Sequence, residues 1–180
     1  MSIQVALLRA INVGGNAIVP MANLRAVVEK AGLRDVRSLL QSGNLIFDAN
    51  TKTAAATEKL LEATVAKAFG LTTDIFVRSA KEIDAIAAGN PFPKEARNDP
   101  GRLVVVFMRQ APAPAAYKAL QASIKGRETV RGDGRHAYIA YPDGQGNSKL
   151  TAAVITRHLG TPGTARNWNT LLKLAAAASG

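Results

Sequence analysis

Val5-Ala-Leu-Leu-Arg-Ala-Ile-Asn-Val-Gly-Gly-Asn-Ala-Ile-Val-Pro20-Met21 reads as a strand that runs into a glycine turn and then a helix start. Val5 to Leu8 is a short apolar run of β character. Gly14-Gly15-Asn16 supplies three residues that tolerate positive φ, so the backbone can turn back with its amides exposed. Pro20 suits the first turn of the following helix, where its missing N–H is one of the donors without an intrahelical partner. A second turn of related chemistry, Gln41-Ser-Gly-Asn44, lies between two later apolar runs. Polar loops held between buried strands are where function concentrates.

Working outward from that stretch, the first half of the chain reads β-α-β-β-α-β. The helix after the glycine turn carries Leu24, Val27, Val28 and Ala31 at helical spacing and stops at Gly32. Val36 to Leu40 and Leu45 to Phe47 flank the Gln41–Asn44 turn as a hairpin. A second helix begins near Thr53, buries Leu60, Leu61, Val65, Ala68 and Phe69, and closes at Gly70. A fourth strand, Asp74 to Val77, leads to Ser79, which caps a short helix with Glu82 at the capping-box position. This order predicts a ferredoxin-like split βαβ sub-domain over residues 1–89, a four-stranded antiparallel sheet with two helices on one face.

Residues 90–101, with three prolines and a closing glycine, cannot continue either a helix or a central strand and are read as a linker. The element order then restarts over 102–180. Leu103-Val-Val-Val-Phe-Met108 is the strongest strand of the chain, and a helix follows from Ala111-Pro-Ala-Pro114 to about Ser123. Arg127–Arg131 and His136–Tyr141 form a hairpin around Gly132-Asp-Gly134, and a glycine-rich loop feeds a helix from about Lys149 to Leu159. The expectation is therefore an α+β protein of two small sub-domains. The second is a related βαββα arrangement plus a final helix, and shared order without letter-level repetition raises the suspicion of a duplication.

Composition narrows the classes. With no cysteine, disulfides and thiolate metal sites are excluded, which suits a cytoplasmic protein. No apolar run approaches the roughly 20 residues that cross a bilayer, and no signal peptide is visible, so no membrane partner is expected. Formal charge is +10 and uneven: residues 1–89 hold 10 Lys and Arg against 8 Asp and Glu, and residues 90–180 hold 13 against 5. A basic half of this kind attracts polyanions through its long-range field, although a basic pI also serves plain solubility.

Four stretches could carry chemistry. Asn12, Gly14, Gly15 and Asn16 could form an amide nest for an anion, with Arg9 adding charge and Ser42 and Asn44 adjoining it if the two turns open at the same edge. The alternative is a tight connection whose asparagines satisfy their own backbone. Glycines before Ser148 and Lys149 place exposed amides, a helix N-terminus and a lysine together, which favours phosphate, although the P-loop spacing is absent. Arg166-Asn167-Trp168-Asn169 is either a base-stacking platform or the buried anchor of the last helix. Arg127, Arg131 and Arg135 recur at intervals of four along the second hairpin and, with Tyr138, could present a nucleic-acid-binding face rather than a merely solvated one. His136 and His158 are isolated, so no metal or other cofactor is expected, and no spacing suggests a catalytic triad.

Three stretches together resemble a bacterial family catalogued as domain of unknown function 1697. They are Ala6–Asn16 with Val19–Leu24; Gln41–Asn44 with its following strand; and Tyr141–Gly144, Ser148–Thr151, Leu159–Pro162 and Thr164–Thr170. Ala10 stands where a glycine is usual and Ala165 where a threonine is often found. The resemblance implies a two-part α+β fold with a ferredoxin-like first part, and it implies no activity. The leading expectation is binding of a phosphate-bearing ligand, nucleic acid foremost. The rivals are a small-molecule enzyme acting between the halves, using Asn12, Asn16, Ser42, Asn44 and Lys149, and a protein-interaction module without a small ligand. Oligomeric state is not legible.

Overall fold

The apolar run at the head of the chain forms β1 (Ile3–Leu8), of which every residue after Ile3 is buried. The computed structural model describes residues 1–13, 15 and 17–180. β1 pairs antiparallel with β3 (Asn44–Asp48) on one side and with β4 (Ile75–Ser79) on the other. β2 (Arg34–Leu39) completes the sheet at the edge, giving the order β2-β3-β1-β4. β3 is buried at every residue and the edge strand β4 at all but Ser79, whereas β2, the other edge, exposes Arg34, Asp35 and Arg37, charges that discourage further strand pairing.

Two helices pack on one face. α1 (Met21–Lys30) follows Pro20, which stands at the N-cap, and α2 (Ala54–Phe69) is capped by Thr53, whose hydroxyl accepts the Ala56 N–H at 3.2 Å. Gly70 ends α2 in the left-handed conformation at φ 62°, a geometry that costs glycine nothing. Their core joins Leu24, Val28, Leu61 and Val65 to Ala6, Leu8, Leu45, Phe47, Ile75 and Val77 from the sheet. Each Val, Leu, Ile or Phe side chain removed from water contributes about 1.5–3 kcal/mol. β4 runs directly into α3 (Ala80–Ala88) through the expected capping box: Ser79 N–H donates to Glu82 at 2.8 Å and Glu82 N–H to the Ser79 hydroxyl at 3.1 Å.

The second sheet has the order β6-β7-β5-β8, which is the first sheet's order with new strands. β5 (Leu103–Met108) is buried throughout and lies between β7 (His136–Ala140) and β8 (Gly163–Asn167). β6 (Thr129–Asp133) is the edge. α5 (Pro114–Ser123) and α6 (Ala152–Leu159) supply the helical layer, and the core unites Val104, Val106, Met108, Leu120, Ile139 and Ile155.

β8 corrects the sequence reading, which ended this half at α6 and a final helix. Gly-Thr-Ala-Arg-Asn has one apolar side chain, so it has no alternating pattern. The residue it turns to the helical core is Ala165, opposite Val106, while Thr164 and Arg166 are buried on the other face of the sheet, opposite Phe107 and Val105. The half is therefore βαββαβ, like the first. The registers match as well. Arg78 of β4 stands opposite Val5 of β1, and Arg166 of β8 opposite Val105 of β5. Each arginine is buried, and each precedes a residue that caps a helix. That helix is α3 in the first half and α7 (Trp168–Ser179) in the second.

The chain divides into one compact unit of Met1–Ala87 with Lys173–Gly180 and another of Ala88–Leu172. The segment expected as a bare linker folds into α4 (Pro93–Asn98), with a proline at its first position, and a 3-10 turn over Pro100–Arg102. The last eight residues, expected with the second half, group with the first. There Arg37 donates to the Ala177 carbonyl at 2.8 Å and the Ser179 hydroxyl to Asp84 at 3.3 Å.

Candidate functional site

Because β1 and β3 are antiparallel neighbours, the β1–α1 connection and the β2–β3 turn open at the same end of their sheet. Leu8 N–H donates to the Gly43 carbonyl at 2.9 Å. Asn12 then ties the two turns together. Its Nδ2 donates to the Gln41 carbonyl at 2.8 Å and to the Val19 carbonyl at 2.9 Å, and its Oδ1 accepts the Val19 N–H at 2.7 Å. Both amide hydrogens are thus engaged by the chain itself, which corrects its assignment to an anion. Asn44, fully buried, donates to the Leu39 carbonyl at 2.8 Å and to Ser42 Oγ at 3.0 Å. Arg9 turns away to Asp74, 3.2 Å from its carboxylate. Gly15 is exposed, and the other members of the expected nest, Gly14 and Asn16, lie outside the described residues. This end of the unit is a self-braced turn pair.

The loop after β7 is pinned at several points. Arg102 donates to the Pro142 carbonyl at 2.6 Å, and Arg127 makes a two-pronged ion pair with Asp143. That hydrogen-bonded guanidinium holds the Asp143 carboxyl below the usual carboxylate range. Ser148 donates its hydroxyl to Glu128 and accepts the Leu150 N–H at 3.0 Å. Ser148 and Lys149 were expected to open the helix, but α6 starts at Ala152 with Thr151 as its cap. The reason is Leu150, which is buried with its carbonyl on the Tyr141 hydroxyl at 3.1 Å. Such a residue cannot sit in the exposed first turn.

The pinned loop forms one wall of a groove of about 570 Å³ whose other walls are the end of α5, the connection from α5 to β6 and the outer face of α6. Three exposed cations, Lys125, Lys149 and Arg157, line it together with the half-buried His158. Half-buried Ile124 and Val154 line it too; both pack on the core of this unit. Glu128, held by Ser148, is its inner carboxylate. Of the residues that sequence reasoning singled out, Ser148 and Lys149 are here. It missed Lys125, Arg157 and the role of His158, because residues some thirty positions apart converge only through the α5–α6 pairing. The available signal was the cationic last turn of α6.

The other candidates are dispersed. Tyr138 lies opposite Arg131 in the hairpin register, but it is buried at 3% exposure, edge-on to His136, and burial pushes its hydroxyl up to about 12. It offers bases no face, which corrects the expected hairpin surface. Arg131 donates to its neighbour's carbonyl, Val130, and Arg127 is engaged by Asp143. Trp168 is buried, as is Arg166, whose guanidinium burial pushes down to about 10 and which donates to Thr164 and the Ala165 carbonyl. Asn167 caps α7 by accepting the Thr170 N–H at 3.0 Å, and only Asn169 of the quartet is exposed without such a role. The stretch is the anchor of α7, not a stacking platform.

Among the described residues no group of three or more His, Asp or Glu side chains could hold a metal ion. Among the described residues no helix is long and apolar enough to cross a membrane. A family model described as a protein of unknown function (DUF1697) matches residues 1–138. It ends before the loop that carries Ser148 and Lys149. The fold is similar to that of the conserved bacterial protein SP0830 from Streptococcus pneumoniae, with 24% identity over 100% of this chain and 99% of that one, at a TM-score of 0.72. A comparison with curated proteins finds no match.

Proposed function

From the premise that the chain belongs to the DUF1697 family of proteins of unknown function, we propose that it binds a phosphate-bearing ligand, nucleic acid foremost, in the basic groove of its second unit. The observation that carries the reading is the convergence of Lys125, Lys149 and Arg157 on one groove beside the Ser148 loop. The field around it has the same sign: residues 88–172 hold 12 Lys and Arg against 5 Asp and Glu. Asp143 is paired with Arg127, and Glu128 keeps its charge while it accepts the Ser148 hydroxyl. Fixed cations on a concave surface collect phosphates and release counterions, so affinity depends on salt.

The enzyme reading used Asn12, Asn16, Ser42, Asn44 and Lys149; of these, Asn12 and Asn44 have their amides engaged by backbone carbonyls and a hydroxyl. The test is anisotropy of a labelled oligonucleotide across a salt series. Three phosphate contacts give a slope of log affinity against log salt near −2 for a single strand, at about −0.7 per contact. Absence of binding at low salt overturns the proposal.

A further inference from the structure

We infer that the groove takes one unstacked nucleotide of a strand, the strand's phosphates on Lys125, Lys149 and Arg157 and the base on the Ile124–Val154 surface against the His158 ring. This rests on the phosphate-binding reading above and narrows it to single-stranded or terminal nucleotides. A volume of about 570 Å³ suits a ligand of nucleotide size, whereas the major groove of a duplex is read by a helix or ribbon that enters it. Ile124 and Val154 pack on the core and leave part of their surface in the groove, an apolar floor for which a phosphate alone has no use.

His158 adds a face. Its Nδ1 lies 3.0 Å from the Val154 carbonyl, and because a carbonyl only accepts, Nδ1 is the donor and the ring plane is fixed. Imidazole and guanidinium planes are surfaces on which single-stranded bases stack, and Arg157 adjoins it at the same helix end. Glu128 completes the selection. A carboxylate among the cations repels a bare polyphosphate but accepts hydrogen bonds from a ribose hydroxyl or a base amino group.

The experiment uses the full chain and fluorescence anisotropy, with a labelled strand of about 12 nucleotides and its duplex at about 50 mM salt. Adenosine monophosphate and inorganic phosphate serve as competitors, and His158→Ala and His158→Phe as variants. We expect the single strand to bind at least about tenfold more tightly than the duplex and the nucleotide to compete where phosphate does not. His158→Ala is expected to weaken binding about five- to tenfold and His158→Phe to restore it, in line with the loss of one base stack. Equal binding of strand and duplex, with no effect of His158→Ala, overturns the inference and leaves the polyanion reading standing. No binding of either at low salt removes both. Should His158→Ala unfold, the nucleotide–phosphate competition on the unaltered protein decides.

Discussion

Asn12 sits at φ 53°, a left-handed conformation that asparagine tolerates better than most residues. From there it makes three hydrogen bonds to two segments. Asn12→Ala removes all three and leaves an alanine in strained backbone, so we expect a loss of about 2–3 kcal/mol in denaturant unfolding. An unchanged midpoint would show that the side chain serves something other than the fold. Asp48 gives a pH signature. The Ser2 and Asn50 N–H groups, then Arg34, hold its carboxyl below the ordinary range. A depressed folded value means the stabilisation is present above the unfolded value of about 4 and is lost as pH falls through the folded one. Stability should therefore decline below about pH 4, and Asp48→Asn should flatten that acid limb. That polar residues in these turns matter was legible in the sequence. Whether an amide faces a ligand or the next turn's carbonyl depends on register, which the sequence leaves open.

The strands show where pattern reading succeeds and fails. β1, β3 and β5 announce themselves by apolar runs, and Thr53, Gly70 and the Ser79–Glu82 box mark helix ends by residue chemistry that acts locally. β8 does not, because the residue it turns to the helical core is a single alanine and its buried positions on the other face hold a threonine and an arginine. The groove was half legible: Ser148 and Lys149 are neighbours in sequence, while Lys125 joins them through packing. β6 carries a further device. Gly132 lies under the Tyr117 ring, and a Cβ added there would come within 2.3 Å of it. The Tyr117 hydroxyl meanwhile donates to the Gly134 carbonyl at 3.0 Å, fastening α5 over the hairpin. Gly132→Ala should displace the ring and cost about 1–3 kcal/mol. A drop in tyrosine near-ultraviolet circular dichroism together with a lowered midpoint would check it, and an unchanged spectrum would sink the account.

At the scale of the whole molecule, local convergence must be separated from overall charge. With net +10, any polyanion is attracted to some degree, so binding alone does not assign a site. The separation comes from two triple variants of equal charge change. Lys125→Glu, Lys149→Glu and Arg157→Glu alter the groove. Lys52→Glu, Lys59→Glu and Lys81→Glu alter exposed positions of the first unit and are the control. Each takes six charge units from the molecule, so a long-range field weakens both alike. A site contacting phosphate through the groove loses its contacts only in the first. Its salt slope should fall by about 2, at about 0.7 per lost contact to a single strand, while the control keeps the slope of the unaltered chain and loses only a uniform part of its affinity. Equal slopes in the two variants would assign the binding to the net charge of the protein and remove the groove from the account. All six side chains are exposed, so both variants should fold, and matching unfolding midpoints would verify that the comparison is between binding surfaces.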